Sequence, residues 1–478
     1  MNKVIKLRRG LDIRIQGVAD GSLRAPAFFH EDYAVKPVDF WDMRPKLLVE
    51  AGSVVKAGTP LFYDKNREAV KVTSPVSGTV TEIVYGPKRR IEEIRLKADK
   101  EMAYETFTAY SAADLAAWDG SKRETAVRQL LDAGLWAFIR RRPYDTIADP
   151  ARMPRDIFIS CFDTAPLAPD MDMLAHGREE DFQAGVDVLR TLTAGKVHLG
   201  LHVQKNNAVA FTECKRAELH YFEGPHPCGN VGIQIHHIAP IDKGEEVWYV
   251  HPQDVMVMGR LFLKGRYDAT KIVALAGSEI IRTSYHKVLA GVSVRYFLQD
   301  NVKGMERGLE VIDGDNRHTV DGHPADIRVI SGNVLTGTKI SAQGYLGAYD
   351  HLISVIPEGN RFRFMGWLTL GLNMFSFSKT FFSWLFPQRT YRIDTNVNGG
   401  KRAFVLTGEF EKVLPMDIYP MQLLKACITQ DIEAMENLGI YEVSPEDFAL
   451  CEYIDASKTD IQQIIRDGLE LMRKEMSE

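Results

Sequence analysis

Apolar and polar positions change rhythm several times along the chain, and each change predicts a different kind of element. Between residues 36 and 98 the apolar residues come in short runs. Val54-Val55, Leu61-Phe62-Tyr63, Val70-Lys71-Val72 and 76–80 are parted by turn residues at Gly52, Gly58, 75–78 and Gly86-Pro87. Short strands at this spacing predict a small sandwich or barrel. From 110 to 255 the rhythm alternates. Residues 115–118 and 123–135 have helical spacing, 156–162 is a short apolar run, and 181–193 sets Phe182, Val186, Leu189 and Leu192 on one helical face. Residues 196–203 alternate as a strand does. Strands alternating with helices predict an α/β layer on a parallel sheet. Between 256 and 360, strand-like runs at 272–275, 327–330 and 352–356 lie among glycines, as in a mixed β-grasp. From 409 onward the pattern is helical, clearest at 421–438 and 460–474. Ser444-Pro445-Glu446-Asp447 has the cap, first-turn proline and acids of a helix start.

This divides the chain into 1–105 (barrel-sandwich region), 106–255 (Rossmann-like α/β domain), 256–360 (β-grasp, SLBB-like), 361–408 (an apolar aromatic docking segment with strands) and 409–478 (helical). The fold class is α/β multidomain, α+β overall. Its 478 residues suit roughly three domains. At 45% hydrophobic and 26% charged residues, the composition is that of a globular chain, neither disordered nor a bundle of membrane spans. A net charge of −5 argues against a nucleic-acid partner. Residues 409–478 alone carry 16 acids against 6 bases. The five cysteines have no metal-ribbon spacing and read as reduced thiols. The start is charged and lacks the apolar core of a signal peptide.

One stretch reads as an interface. Residues 365–378 carry no charge, and Phe381, Phe382, Trp384 and Phe386 follow after Lys379. The run is too short and too rich in glycine and serine to span a bilayer, which takes about 20 apolar residues. Trp367, Phe375, Phe377, Phe381 and Trp384 are therefore expected to lie against a partner or an interface.

Candidate chemistry is sparse. The run 36–98 resembles a biotinyl/lipoyl-like barrel, in which Lys65 would be the modified lysine, but the hairpin is too long and a solvated turn lysine is the better reading. In 222–237, Gly224, Gly229 and Gly232 with His226 suggest a loop that approaches a phosphate or flavin. The G-x-G-x-x-G fingerprint is absent, and a stiff structural turn weighs more. His226, Cys228, His236 and His237 match no zinc spacing. His198 and His202 share a strand face without an acid near in sequence. Hydrogen-bonded histidines are expected throughout. Trp136, Phe138, Arg140, Arg141 and Arg142 combine aromatic plates with guanidinium donors, as a quinone ring requires, and Phe375, Phe377, Lys379, Phe381 and Trp384 likewise offer plates and a donor; a solvated basic turn in the first case and partner packing in the second weigh more.

Several stretches together identify a resemblance. Residues 5–13, Gly134-Leu-Trp136 with Arg142-Pro143, 162–168, 222–229, 330–337 with 345–349, 415–418 and 445–453 are similar, in order, to the A-type subunits of the Na+-translocating NADH:quinone oxidoreductases (Na+-NQR). The resemblance implies a fold related to the flavin-binding subunit of complex I and to the C-type subunit of the Rnf complex, without their glycine-rich flavin loop or cluster cysteines. It implies a peripheral subunit on the cytoplasmic face of the bacterial inner membrane, with no transmembrane helix and no tightly bound cofactor. NADH, flavins and Fe–S centres would belong to partner subunits. Quinone is the possible substrate, and the membrane subunits, chiefly the B-type one, are the expected partners. The competing readings are a soluble flavin/NADH oxidoreductase and an acyl-carrier or binding module.

Overall fold

The computed structural model describes residues 4–24, 30–303, 317–320, 323–359 and 368–476. The N-terminal barrel consists of two antiparallel sheets. Four strands run in the order Asp32–Val35, Ile91–Ala98, Gly78–Tyr85, Val54–Val55, and three in the order Pro45–Leu47, Pro60–Asp64, Arg67–Thr73. Lys65 is an exposed residue in the turn between the last two of the second sheet. The barrel core is apolar, with Leu61, Phe62, Val70, Val80 and Ile94 fully buried.

The α/β domain has a seven-stranded sheet. Val4–Lys6, Glu218–Glu223, Val197–His202, Ile157–Ser160 and Val247–Tyr249 run parallel; Arg140–Arg142 and Thr146–Ile147 add antiparallel at the edge. Val197–His202 is buried at every position although its sequence alternates, because a parallel sheet is covered on both faces. Helix Glu179–Arg190 buries Phe182, Val186 and Leu189, as its spacing predicts. It packs on Pro252–Lys264, where two glycines permit contact: a Cβ on Gly185 would lie 2.1 Å from the Val255 carbonyl, and one on Gly259 would lie 1.8 Å from that of Asp181. Helix Val231–Ile238 sits with Phe158 and Val247 in a separate apolar cluster.

The grasp sheet runs Arg317–Val320, His323–Ser331, Leu352–Pro357, Thr270–Ala276, Ser284–Leu289, with Leu23–Arg24 at its edge. The start of the chain thus joins the parallel sheet through Val4–Lys6 and the grasp sheet through Leu23–Arg24. The C-terminal region is helical: Pro420–Thr429, Ile432–Asn437, Ala449–Ile454 and Ile461–Glu475. The sequence predicts one helix over 421–438. It breaks at Gln430, which is left-handed, and Asp431 caps the second piece through the Ala434 N–H. At Ser444 the expected start is present as a capping box with Asp447. Among the described residues no helix is long and apolar enough to cross a membrane.

Candidate functional site

In an open parallel sheet, ligands bind beyond the carboxyl ends of the strands. Here the strands Ile157–Ser160 and Val247–Tyr249 lead into such a place. The residues after them, Phe162-Asp163 and Val250-His251, meet loops of the grasp domain and the Pro445–Phe448 turn around a cavity of about 230 Å³. This opens into a second cavity of about 360 Å³ that shares Arg140, Asp163, His251, Asn333, Tyr349 and Glu446. Together they reach the size of small-molecule pockets, about 300–1,000 Å³.

Arg140 is the principal donor here. Its guanidinium lies 5.6 Å from the centre of the Tyr249 ring and 5.2 Å from that of Tyr349. Asp145 pairs with it at 2.8 Å and with Arg466 at 2.9 Å. Burial works against the Asp145 charge, but Arg140, Arg142 and Arg466 outweigh it and hold the carboxyl down to about 2. Tyr249 donates its hydroxyl to Asp145, and Tyr349 donates to the Ala137 carbonyl at 2.6 Å. Glu446 has the opposite shift: burial, with Asp447 nearby, raises it to about 7 despite Arg142 at 2.6 Å. Apolar walls come from Phe138, Phe162, Met171 and Leu335. The arrangement can take a flat ring and offer its polar edge a guanidinium.

The expected site residues part company. Phe138, Arg140, His226 and Gly229 line the cavity. Trp136, Arg141 and Arg142 do not. Trp136 is fully buried edge-on to Trp248 and donates to the Ala148 carbonyl at 2.8 Å. Arg141 points to the other face of its strand and pairs with Glu246 at 3.0 Å. Arg142 is wholly enclosed, 3.0 Å from Asp447.

The glycines make room for protein rather than for an anion. A Cβ on Gly224 would strike the Leu7 carbonyl at 2.7 Å, on Gly229 the Thr164 N–H at 2.7 Å, and on Gly232 the Asp447 carboxylate at 2.5 Å. His226 faces the Thr164 hydroxyl at 3.1 Å, and burial lowers it to about 4. His236 and His237 sit on a helix and bond to Glu442 and the Pro415 carbonyl. His198 acquires on the neighbouring strand the partners its own sequence lacks: His220 at 2.9 Å and Glu218 at 3.9 Å. The trio has metal-ligand chemistry, but the two imidazoles already bond each other and Lys196 holds Glu218 at 2.5 Å. All five cysteines are free thiols.

The aromatic segment lies at the surface. Leu370 is 63% exposed, Leu368 59%, Leu385 53% and Trp384 50%, with Phe386 and Phe382 close behind. Phe375, Phe377 and Phe381 are half-buried; Phe375 packs on Tyr391 and Tyr453. Phe381 closes over Gly371, where a Cβ would meet its ring. Trp367 lies outside the described residues. The outward side chains are thus largely ones the sequence reading did not single out.

Two family models match the chain, the NqrA N-terminal barrel-sandwich hybrid domain over residues 5–99 and the NqrA second alpha/beta domain over 121–267. Three similar relatives carry the name of the A-type subunit of a Na(+)-translocating NADH-quinone reductase. That of Aliivibrio salmonicida is 33% identical, over 99% of this chain and 100% of the relative. That of Marinomonas sp. is 34% identical over 98% and 99%, and that of Vibrio anguillarum 34% over 99% and 100%. The chain belongs to this NqrA family. Among solved structures, an NAD+-reducing [NiFe]-hydrogenase aligns at TM-score 0.37 with 12% identity over 77% of this chain and 64% of its own, too slight a likeness to place a site.

In this NqrA chain the cavity has a notable make-up. The stretches that carried the resemblance, 162–168, 222–229, 330–337, 345–349 and 445–453, are far apart in sequence, yet each contributes to its lining. Tyr249, Tyr349, Asp163, His251, Asp254 and Glu446 line it too, and the sequence reading named none of them as site residues. For Asp163, Tyr349 and Glu446 the signal was membership in those stretches. For His251 and Asp254 it was the start of a helix with proline at its first position. Tyr249, at the end of a strand, carried none.

Proposed function

We propose that this chain is the peripheral, cytoplasmic-face subunit of a Na+-translocating NADH-quinone reductase, and that its three-domain cleft receives the headgroup of a quinone. In this reading NADH, flavins and Fe–S centres are carried by partner subunits. The chain sits on a membrane partner, the B-type subunit, through the exposed side chains of 368–386. What supports the quinone assignment is one arrangement: Arg140 held between the rings of Tyr249 and Tyr349 at the mouth of a slot walled by Phe138 and Phe162. A quinone ring is flat and apolar and has a carbonyl acceptor at its edge, which a guanidinium fork satisfies. Large exposed apolar patches mark association surfaces, which supports the docking half.

The test is a titration of the full chain with a short-chain ubiquinone, followed by quenching of intrinsic fluorescence. Arg140→Gln is expected to weaken binding about tenfold or more, the scale of one charged hydrogen bond. Arg140→Lys should restore part of the loss. No binding by the unaltered chain, or equal binding by Arg140→Gln, would overturn the assignment.

A further inference from the structure

The same cleft holds polar groups whose bonding is incomplete: His251 and Asp254 line its first cavity, His251 and His351 its second. His251 caps the helix Pro252–Lys264, its Nδ1 accepting the Gln253 N–H at 3.3 Å. Gln253 is wholly buried and its amide is locked: Oε1 accepts the Ile272 N–H at 2.8 Å, and Nε2 donates to the Ile272 carbonyl at 2.7 Å. The lock decides which end of the amide meets His351. Gln253 Nε2 lies 3.0 Å from His351 Nδ1. An amide nitrogen can only donate, so Nδ1 accepts and the proton of neutral His351 sits on Nε2. By the same reasoning His251 carries its proton on Nε2. The two rings stack with centroids 3.8 Å apart, and burial holds both well below the usual histidine range, His251 at about 3.

Two atoms at this place are buried without a partner: His351 Nε2, a donor, and Asp254 Oδ2, an acceptor. The other Asp254 oxygen has Lys271 at 2.7 Å. One nitrogen of each imidazole and one Asp254 oxygen lie within 4.8 Å of one another. A point therefore exists within about 2.8 Å of all three, the reach of a hydrogen bond. A metal ion suits this place poorly. It requires imidazole nitrogens free of protons, and the ammonium of Lys271 is already beside the carboxylate. With both Nδ1 atoms already accepting from Gln253, the nitrogens left to a ligand are the two Nε2–H donors; with an Asp254 oxygen they match a hydroxyl oxygen, which accepts twice and donates once. A carbonyl or ether oxygen answers the donors but turns lone pairs toward Asp254.

We infer that His251, His351 and Asp254 form a hydroxyl seat that makes the cleft prefer the hydroquinone form of its ring to the quinone form. This rests on the cleft being a quinone site. It casts the chain as a holder of the reduced product.

The test uses the full chain under anaerobic conditions and three probes: trimethylhydroquinone, its dimethyl ether and trimethylbenzoquinone. Calorimetry is expected to show the hydroquinone bound about ten- to a hundredfold more tightly than the other two. The double variant Asp254→Leu with Lys271→Met removes the two charges together and should bring the three probes level. His251→Phe keeps the ring stack and takes away one donor, so hydroquinone and quinone should weaken alike while the preference survives. If the double variant does not fold, the wild-type comparison and His251→Phe still decide the matter. Equal binding of hydroquinone and dimethyl ether would overturn the seat and leave the cleft assignment standing. A preference that persists in the folded double variant would also overturn it. Binding of none of the three rings would remove the cleft assignment as well.

Discussion

The cleft and the 368–386 segment are both rich in aromatic residues, and they are built in opposite ways. In the cleft Phe138, Tyr249 and Tyr349 are gathered from distant parts of the chain, and their polar atoms are bonded: the Tyr349 hydroxyl to Ala137, the Tyr249 hydroxyl to Asp145, and a guanidinium near both tyrosine rings. In the segment, Phe382, Trp384, Leu385 and Phe386 are neighbours in sequence and about half of each is open to solvent. The first region is held by largely buried charge pairs; the second has apolar surface that stands open among the described residues. The comparison separates a place where binding depends on geometry from one where it depends on area.

The largest effect expected from breaking the first region is on stability. Arg142 is fully enclosed with Asp447 and reaches Glu446. Arg142→Ala leaves a buried carboxylate alone and should cost about 3–5 kcal/mol in urea unfolding. A loss below about 1 kcal/mol would mean that water or a local shift compensates for the missing cation.

The second region should behave in the reverse way. Replacing Trp384, Leu385 and Phe386 together by Ser should leave the urea midpoint nearly unchanged, since surface changes are usually within about 0.5 kcal/mol. Association with membranes that contain the partner subunits should fall about a hundredfold, at roughly 1 kcal/mol for each half-exposed side chain to be buried. Normal membrane retention in a sedimentation assay would show that the patch is not the docking surface.

The smallest effect concerns pH. Glu446 is raised in the fold from its ordinary 4.5 to about 7, so the native chain holds that proton more tightly than the unfolded one. The stabilisation is complete below 4.5 and fades as pH rises through about 7. Glu446→Gln should flatten that part of a plot of melting temperature against pH. The side chain keeps 38% of its surface open, so solvent screening limits the change. An unaltered slope would show that Arg142 keeps Glu446 ionised throughout. Asp145 works in the other direction: its stabilisation is present above 3.8 and is lost as pH falls toward 2.

Much of the fold was legible because it depends on local pattern. The helix Glu179–Arg190 buries the side chains its spacing marks, and the Ser444 start is capped as its sequence suggests. The helix predicted over 421–438 was less legible, since its break depends on one left-handed residue and one capping aspartate. The site was legible only in part. Phe138, Arg140, His226 and Gly229 were named and line the cavity, while Tyr249, Tyr349, Glu446 and Asp254 were not. Where a local pattern marks them it marks a family stretch or a helix start and not a site, because what they have in common is that separate parts of the fold meet there.

By itself the sequence determined the kinds of element, the family and the presence of an uncharged aromatic stretch, since all three are written in contiguous residues. Only the tertiary structure decided between the three arginines of 140–142. Strand alternation alone sends Arg141 to the opposite face, where it finds Glu246. Arg140 and Arg142 share a face, and nothing near them distinguishes the two. The turn Pro445–Phe448, some 300 residues later, covers Arg142 with Asp447 and leaves Arg140 facing the cleft, because a charge can be enclosed only where an opposite charge is brought to meet it.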